Sequence, residues 1–398
     1  SEDLMPSAKS VCTGATVLSS YIVKFKSGEF KTYHFADRED FKKQIVEPNL
    51  EKIDYIEFNQ RFELEPNDYA RTPRFEPNMI DNWGLRMINA PAAWQAGIFG
   101  QGVTVAVVDS GVDINHPLLR NQIAYNSGET GFDSQGRDKR VNGIDDDGNG
   151  YIDDYAGYDF VNNRGVMSDT VNHGTHVAGI ISAEHSSTTV SNNSVQGLAP
   201  RAKVLPVRFL DSRGGTLDGA LNSIEFARRR GVQIINASWG GEGCSRALLD
   251  KVKQVTDEGI IFVAAAGNNG SNLDIFPEFP AAFRFPLQIT VGSSGTQDLM
   301  SNFSNYSRKF VDVFAPGLNI FSTLPGNSVG PESGTSMAAP FVAAAAALLY
   351  SAKPSATPAE IVNAIYGSVD RNPDFLNRTQ GRLNVSRALQ ILGPSNLH

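Results

Sequence analysis

Four short motifs in this 398-residue chain set reactive or polarising side chains beside glycine and other small residues. They are Asp109-Ser110-Gly111, His173-Gly174-Thr175-His176, Ala266-Gly267-Asn268 and Gly334-Thr335-Ser336-Met337-Ala338-Ala339-Pro340. A serine hydroxyl is a weak nucleophile until a neighbouring base takes its proton, and an imidazole base needs a carboxylate to fix its tautomer. An amide N–H can then hold the charge that develops on an attacked carbonyl oxygen. Asp109, His173, Ser336 and Asn268 supply those four parts, which is the chemistry of acyl transfer. Each motif alone has a plainer reading. Asp109 could close a turn, and Ser336 could simply cap a helix. A zinc site at His173 and His176 lacks the His-Glu-x-x-His spacing and any obvious third ligand.

These groups need a frame. Val103–Val108 is a continuous apolar run, expected of a strand buried on both faces of a parallel sheet. Similar runs recur at Val204–Leu210, Val232–Asn236, Ile260–Ala266, Ile289–Val291 and Val311–Phe314. Helical patterns lie between or after them at His173–Ala183, Leu217–Arg230, Arg246–Glu258, Ser336–Ser351 and Pro358–Tyr366. The last begins with a capping box, Thr357-Pro358-Ala359-Glu360. Alternating strands and helices predict an α/β fold: a doubly wound, mostly parallel sheet with helices on both faces. In such sheets ligand-binding groups gather at the carboxyl ends of the strands, where Asp109 and Asn268 fall. Pro340 is expected in the early helix, where a missing N–H is tolerated.

Ahead of this frame stands a smaller α+β unit. Ser20–Phe25 and Phe30–Phe35 read as strands joined by a Gly28 turn, Asp37–Val46 as a short helix capped by Asp37, and Lys52–Leu64 as one long strand or a pair. The expected organisation is a leader segment over 1–17, the small unit over 18–65, a Pro-rich connector over 66–82, and the large domain over 83–398.

The order Asp, His, Ser is that of the subtilisins. With Asp109-Ser110-Gly111, His173-Gly174-Thr175-His176, Gly267-Asn268 and Gly334-Thr335-Ser336-Met337-Ala338 all intact, the chain resembles the subtilisin family from about residue 83 to 392. The resemblance implies a serine endopeptidase working through an acyl-enzyme. Asp109 would orient the imidazole, His173 serve as base and acid, Ser336 attack, and Asn268 and the Ser336 N–H hold the oxyanion. The family binds its peptide substrate as an added β-strand. By resemblance the flanking edges are Gly214-Gly215-Thr216 and Ser238-Trp239-Gly240. The pair Phe279-Pro280 puts Glu278 at the floor of the pocket for the residue before the scissile bond. There a carboxylate would select Lys or Arg; turned into water, it would leave a roomy apolar pocket. Residues 18–65 resemble a subtilase propeptide, a partner bound in cis, though shorter than usual and without a second helix.

A second stretch is acidic: Asp145-Asp146-Asp147-Gly148-Asn149-Gly150-Tyr151-Ile152-Asp153-Asp154. Oxygens of Asp145, Asp147, Asn149 and Asp153 at alternating positions, with the Tyr151 carbonyl, match the first part of a calcium loop. The glutamate that would complete an EF-hand is missing, because that position is Ala156. A structural calcium ion (Ca2+) is expected, since the acyl-transfer groups need no metal.

Composition narrows the rest. The formal net charge is −8, and no basic block exceeds Arg228–Arg230, so nucleic acid is not an expected partner. The longest apolar run, Ala338–Leu349, contains Pro340 and falls short of the roughly 20 residues of a membrane helix; it reads as a buried helix. Cys12 and Cys244 allow at most one bridge. No signal peptide opens the sequence, which suits a chain already stripped of a leader and placed outside the cytoplasm. Two rival readings are an inactive peptide-binding relative and a calcium-dependent structural module.

Overall fold

The computed structural model describes residues 4–5, 16–62 and 80–393. The central sheet has nine strands. In chain order they are β4 (Thr104–Asp109), β5 (Tyr158–Asp159), β6 (Lys203–Arg208), β9 (Ile234–Ala237), β10 (Ile261–Ala265), β11 (Gln288–Ser294), β12 (Val313–Pro316), β15 (Asp370–Arg371) and β16 (Gly381–Arg382). Their spatial order is β15-β16-β12-β11-β10-β9-β4-β6-β5, all parallel except β15 against β16. The order reverses between β4 and β9, so a crevice opens beyond their carboxyl ends.

The continuous apolar runs have their expected cause. Along β4, Val105 and Val107 face one core, while Ala106 and Val108 face another. The first core is filled by the helices His173–Ser182 and Thr335–Ala352. The second is filled by Leu217–Arg229 and Arg246–Asp257. The sheet is therefore covered on both faces, as the sequence predicts. Pro358–Gly367 opens with the predicted capping box, formed in full. Thr335–Ala352 is long and apolar enough to cross a membrane, contrary to the expectation from its proline, but 89% of it lies buried in the fold. Pro340 sits inside this helix rather than in its first turn.

Among the elements that were not foreseen, two pack closely on the frame. A hairpin of β13 (Ile320–Leu324) and β14 (Ser328–Glu332) packs on the His173–Ser182 helix, and a helix spans Val385–Leu392. β14 reads Ser-Val-Gly-Pro-Glu, a composition with little intrinsic strand preference.

The N-terminal unit holds β1 (Thr16–Phe25), β2 (Phe30–His34) and β3 (Ile53–Phe62). Asp37 caps as expected, accepting from the Glu39 and Asp40 N–H groups, but regular α-helix covers only Arg38–Phe41 before widening through Lys42–Val46. Lys52–Leu64 resolves to one long strand as far as Phe62; Glu63 and Leu64 lie outside the described residues. Beyond β6 the chain forms β7 (Leu210–Asp211) and β8 (Gly214–Thr216), and β3 pairs antiparallel with β8. A five-stranded sheet, β2-β1-β3-β8-β7, thus joins the N-terminal unit to the large one.

Candidate active site

Asp109 is the last residue of β4 and is wholly buried. His173 is the first residue of its helix, preceded by Asn172 in the left-handed conformation. The two approach because Gly111 and Gly174 allow it: a Cβ on Gly174 would lie 2.0 Å from the Gly111 carbonyl oxygen. His173 Nδ1 then lies 2.7 Å from Asp109 Oδ1. Burial disfavours a charged ring, but Asp109 overrides it and raises the His173 pKa to about 9. The carboxylate favours an imidazolium, the species formed when the ring takes a proton.

Ser336 is the second residue of the Thr335–Ala352 helix. Its Oγ donates to the Ser238 carbonyl at 3.0 Å, so passing its proton to an imidazole means giving up that bond. Pro340, four residues on, has no N–H for the Ser336 carbonyl. Ser238 Oγ donates to that carbonyl instead, at 2.8 Å. The in-helix proline therefore frees an acceptor by which the β9 end grips the start of the serine helix.

Asn268 follows β10. Its Oδ1 accepts from Thr335 N at 2.8 Å and Thr335 Oγ1 at 2.9 Å, which fixes the way the amide faces. A Cβ on Gly334 would lie 3.6 Å from both Asn268 Nδ2 and Ser336 N, and 3.7 Å from Asn268 Oδ1, which Thr335 already occupies. Two donors thus border the small space that the missing side chain leaves open. Such a space suits a carbonyl oxygen that gains charge.

The family model described as the subtilase family matches residues 100–382. This chain belongs to the subtilase family. It is 37% identical over 272 residues to the major intracellular serine protease of Bacillus subtilis (strain 168), covering 67% of this chain and 74% of that protein. It is 34% identical over 316 residues to thermitase of Thermoactinomyces vulgaris, covering 77% of this chain and 95% of that one. The crystal structure of a cold adapted subtilisin-like serine proteinase superposes with a TM-score of 0.57 at 31% identity, over 72% of this chain and 90% of that chain. The subtilase is accordingly a hydrolase, a serine endopeptidase whose substrates are proteins.

Of the residues expected to line a substrate, Ser238 touches Ser336 directly. Trp239 is buried, with Nε1 donating to the Val108 carbonyl at 2.9 Å. Gly240 and Gly241 continue that edge. On the opposite edge Gly215 and Thr216 already pair with Phe62 and Arg61 of β3, while Gly214 pairs with Asp211. Phe62 lies 5.2 Å from the Trp239 ring and 6.4 Å from Phe209, against Gly241. The N-terminal unit is held further at the starts of two helices. Asn59 exchanges hydrogen bonds with Asp218, and Glu57 accepts from Arg246 N at 3.1 Å and from Ser245 Oγ. A carboxylate at a helix N-terminus is favourably placed.

Glu278 does not turn into water. It is 5% exposed, and its Oε1 accepts from Asn269 Nδ2 at 2.8 Å and Asn305 Nδ2 at 2.7 Å. Its Oε2 lies 2.3 Å from where a Gly267 Cβ would be and 4.0 Å from that of Gly240. The carboxylate therefore stands between the substrate edge and the Asn268 loop.

His176 is a core residue here. Its Nε2 meets the Gly330 carbonyl at 3.1 Å, and burial drives its pKa down to about 3. Two acids near the serine site were missed in the sequence. Asp169 accepts from Ser110 Oγ, from Thr175 N and Oγ1, and from the Val171 and Asn172 N–H groups, tying the Asp109 and His173 segments together. Its signal was an Asp four residues ahead of the helix. Glu332, at the end of β14, has Oε2 buried without a hydrogen-bond partner and 3.9 Å from His176 Nδ1. Burial pushes its pKa up to about 7. No motif marks it.

The acidic stretch departs from an alternating ligand pattern. Asp145 accepts from the Asn149 and Gly150 N–H groups, and both oxygens of Asp153 accept from Gly143 N. Tyr151 packs its ring on Tyr158 and Phe226. Asn149 Nδ2 donates to Asp147 and Asp154. Of the expected set, Asp147 gathers with two further acids, Glu129 and Asp154. Cys244 is disulfide-bonded; Cys12 lies outside the described residues.

Proposed function

We propose that this subtilase cleaves peptide bonds with Asp109, His173 and Ser336 as its triad and with Asn268 Nδ2 and Ser336 N as its oxyanion donors. Ser336 Oγ attacks the peptide carbonyl while His173 takes its proton, and Asp109 steadies the resulting imidazolium. The amine leaves with that proton, and water then hydrolyses the acyl-enzyme through the same base. The carrying observation is the space over Gly334, bordered equally by Asn268 Nδ2 and Ser336 N. A substrate strand lies between Gly214–Thr216 and Ser238–Gly240. Glu278, buried beside the second edge, selects Lys or Arg before the scissile bond through charge-assisted hydrogen bonds.

The unit from 18 to 65 acts as a propeptide, an inhibitor bound in cis. Its support is that β3 takes the Gly215–Thr216 edge and seats Phe62 among Trp239, Phe209 and Gly241, where a substrate strand would lie. The acidic stretch binds a structural calcium ion, which stabilises the fold without taking part in the chemistry. The Cys244 disulfide favours an oxidising, extracytoplasmic setting.

A fluorophosphonate probe tests the main reading. The chain should label at Ser336 and lose labelling in Ser336→Ala, along with roughly 10³-fold or more of the hydrolysis rate. Undiminished hydrolysis by that variant would sink the triad. Labelling of the full chain should also accelerate in Phe62→Ala, which weakens the seat of the inhibitor; an unchanged rate would count against inhibition in cis.

A further inference from the structure

Between β11 and β12 the chain brings Asn305, wholly buried, under the loop that holds Asn268. Its backbone N–H donates to the Gly267 carbonyl at 2.9 Å. Its side chain then uses every hydrogen-bonding position an amide has. Nδ2 donates to the Ala266 carbonyl at 3.0 Å and to Glu278 Oε1 at 2.7 Å. Oδ1 accepts from Asn269 N at 3.2 Å and from Ser271 N at 2.8 Å. The amide has one workable orientation. Turned over, its oxygen would face a carbonyl and a carboxylate, and its NH2 would face two N–H donors.

Asn305 thereby grips the loop on both sides of Asn268: at 266 and 267 before it, at 269 and 271 after it. The loop needs that grip. It has no regular structure of its own beyond β10, and Asn269 and Gly270 are exposed. Gly267, at φ +100°, leaves the room for it, because a Cβ there would clash with both Asn305 Nδ2 and Glu278 Oε2. Glu278 meets the same loop a second time through Asn269 Nδ2, at 2.8 Å. A buried carboxylate is costly unless its oxygens are hydrogen-bonded, so Glu278 and the loop depend on each other.

We infer that Asn305 is a positioning residue that locks the Glu278 carboxylate and the Asn268 loop into one unit, so that selection of the residue before the scissile bond and stabilisation of the oxyanion fail together when it is changed. The inference rests on the roles proposed above for Glu278 and Asn268 and adds the link between them. Being wholly buried, Asn305 offers nothing to a substrate directly. Its effect on rate comes through Asn268 Nδ2, whose position decides how well it meets the charge that develops on the carbonyl oxygen. A displacement of about 1 Å in such a group can cost about 10²-fold. Its effect on selectivity comes through Glu278, which loses the donor that fixes its Oε1.

Steady-state kinetics test this, with a pair of peptides that differ only in Lys or Leu before the scissile bond. Rates are counted per site labelled by a fluorophosphonate probe, so a residue needed for folding alone would leave kcat unchanged. Asn305→Ser removes both Nδ2 donors without burying a charge. Its kcat should fall by about 10-fold or more on either peptide, with KM for the Leu peptide within about 3-fold of the parent. The Lys-over-Leu ratio of kcat/KM should fall with it, by about 3-fold or more. Asn305→Asp keeps the shape of the side chain but sets two carboxylates against each other, and should lose still more turnover. Adding Glu278→Gln to that chain restores an amide opposite a carboxylate in the reverse order. It should return about 5-fold or more of the lost turnover and none of the preference for Lys. An Asn305→Ser enzyme that loses one property and keeps the other would overturn the link. So would a failure of Glu278→Gln to restore turnover in Asn305→Asp, which decides alone if Asn305→Ser does not fold. A parent with no preference for Lys would sink the Glu278 reading itself, and Asn305 would then stand or fall on kcat.

Discussion

The serine crevice and the acidic excursion of the chain between Ile123 and Tyr158 are both built from polar side chains, but they are held in opposite ways. In the crevice each group hangs from the end of a buried strand or the first turns of a buried helix: Asp109 on β4, Asn268 after β10, His173 and Ser336 on packed helices. In the excursion the acids spend many of their oxygens on nearby backbone N–H groups, as Asp133, Asp145 and Asp153 do. A crevice residue can therefore be changed with little loss of fold and a large loss of rate. An excursion residue should do the reverse. The contrast would be broken by a crevice variant that unfolds the chain, or by an excursion variant that abolishes turnover with its fold intact.

The largest effect expected among the supporting crevice groups is that of Asn268→Ala. Turnover should fall by about 10²–10³-fold with little change in KM, because the lost donor acts on charge that exists only in the transition state. Asn268 Oδ1 also accepts from Thr335, so the variant should lose about 1–3 kcal/mol of stability as well. Michaelis kinetics and thermal melts on the same preparation separate the two. A loss confined to KM would remove Asn268 from the oxyanion site.

The same contrast explains what the sequence could tell. A motif at the end of an apolar strand or the start of a periodic helix inherits its position from the sheet, so the placing of Asp109, His173, Asn268 and Ser336 at strand ends and helix starts was legible in the sequence. The doubly wound sheet was legible for the same reason, since alternate residues of each strand bury on opposite faces. The excursion has almost no regular element, so spacing in sequence does not map to spacing in space. Asp145, Asn149 and Asp153 follow an alternating ligand pattern, yet they bond to the loop. Glu129, sixteen residues ahead of Asp145, carries no local signal at all. Glu332 was invisible for a related reason: it depends on the β13–β14 hairpin, whose Gly330-Pro331 content hides the strand. The helix begins at Thr335, one residue ahead of the expected start, so Pro340 lies past the turn where a missing N–H has no consequence, and the sequence alone did not show that Ser238 would hold the Ser336 carbonyl.

A smaller effect tests whether Glu278 belongs to the crevice chemistry or merely to its wall. Gln at this position keeps an oxygen to accept from Asn269 and Asn305, so the fold should survive. What it loses is the charge. Hydrogen bonds to charged partners contribute about 1.5–3 kcal/mol, which corresponds to a preference of about 10- to 150-fold. Peptide-library profiling should show Lys and Arg before the scissile bond in the parent and most of that preference gone in Glu278→Gln. A parent that prefers Leu or aromatic residues, with the variant unchanged, would make Glu278 a wall residue.

The smallest effect on rate is expected from Glu332→Gln, and it sharpens the comparison most because Glu332 touches no expected substrate position. Its neighbours in charge are His173, Asp169 and Asp109, with neutral His176 beside it. The proposed mechanism needs His173 unprotonated, and every nearby negative charge raises the pH at which that occurs. Glu332 is one such charge on His173, acting behind Asp109. Removing it should shift the acid limb of kcat/KM down by about 0.2–0.5 pH unit, since charges at this range in a mixed dielectric interact by a fraction of a kcal/mol. Stability gives an independent reading. The folded pKa of Glu332, about 7, lies above its ordinary value of 4.5, so between those values the native state binds more protons than the unfolded state. Stability then falls as pH rises through that window, and the cost is complete above about pH 7. Glu332→Gln should therefore match its parent near pH 4.5 and exceed it by about 1–3 kcal/mol at pH 8. Denaturant unfolding at the two pH values, beside a pH–rate profile, checks both. A rate profile that does not move while stability does would place Glu332 with the excursion acids, as a group of the fold alone.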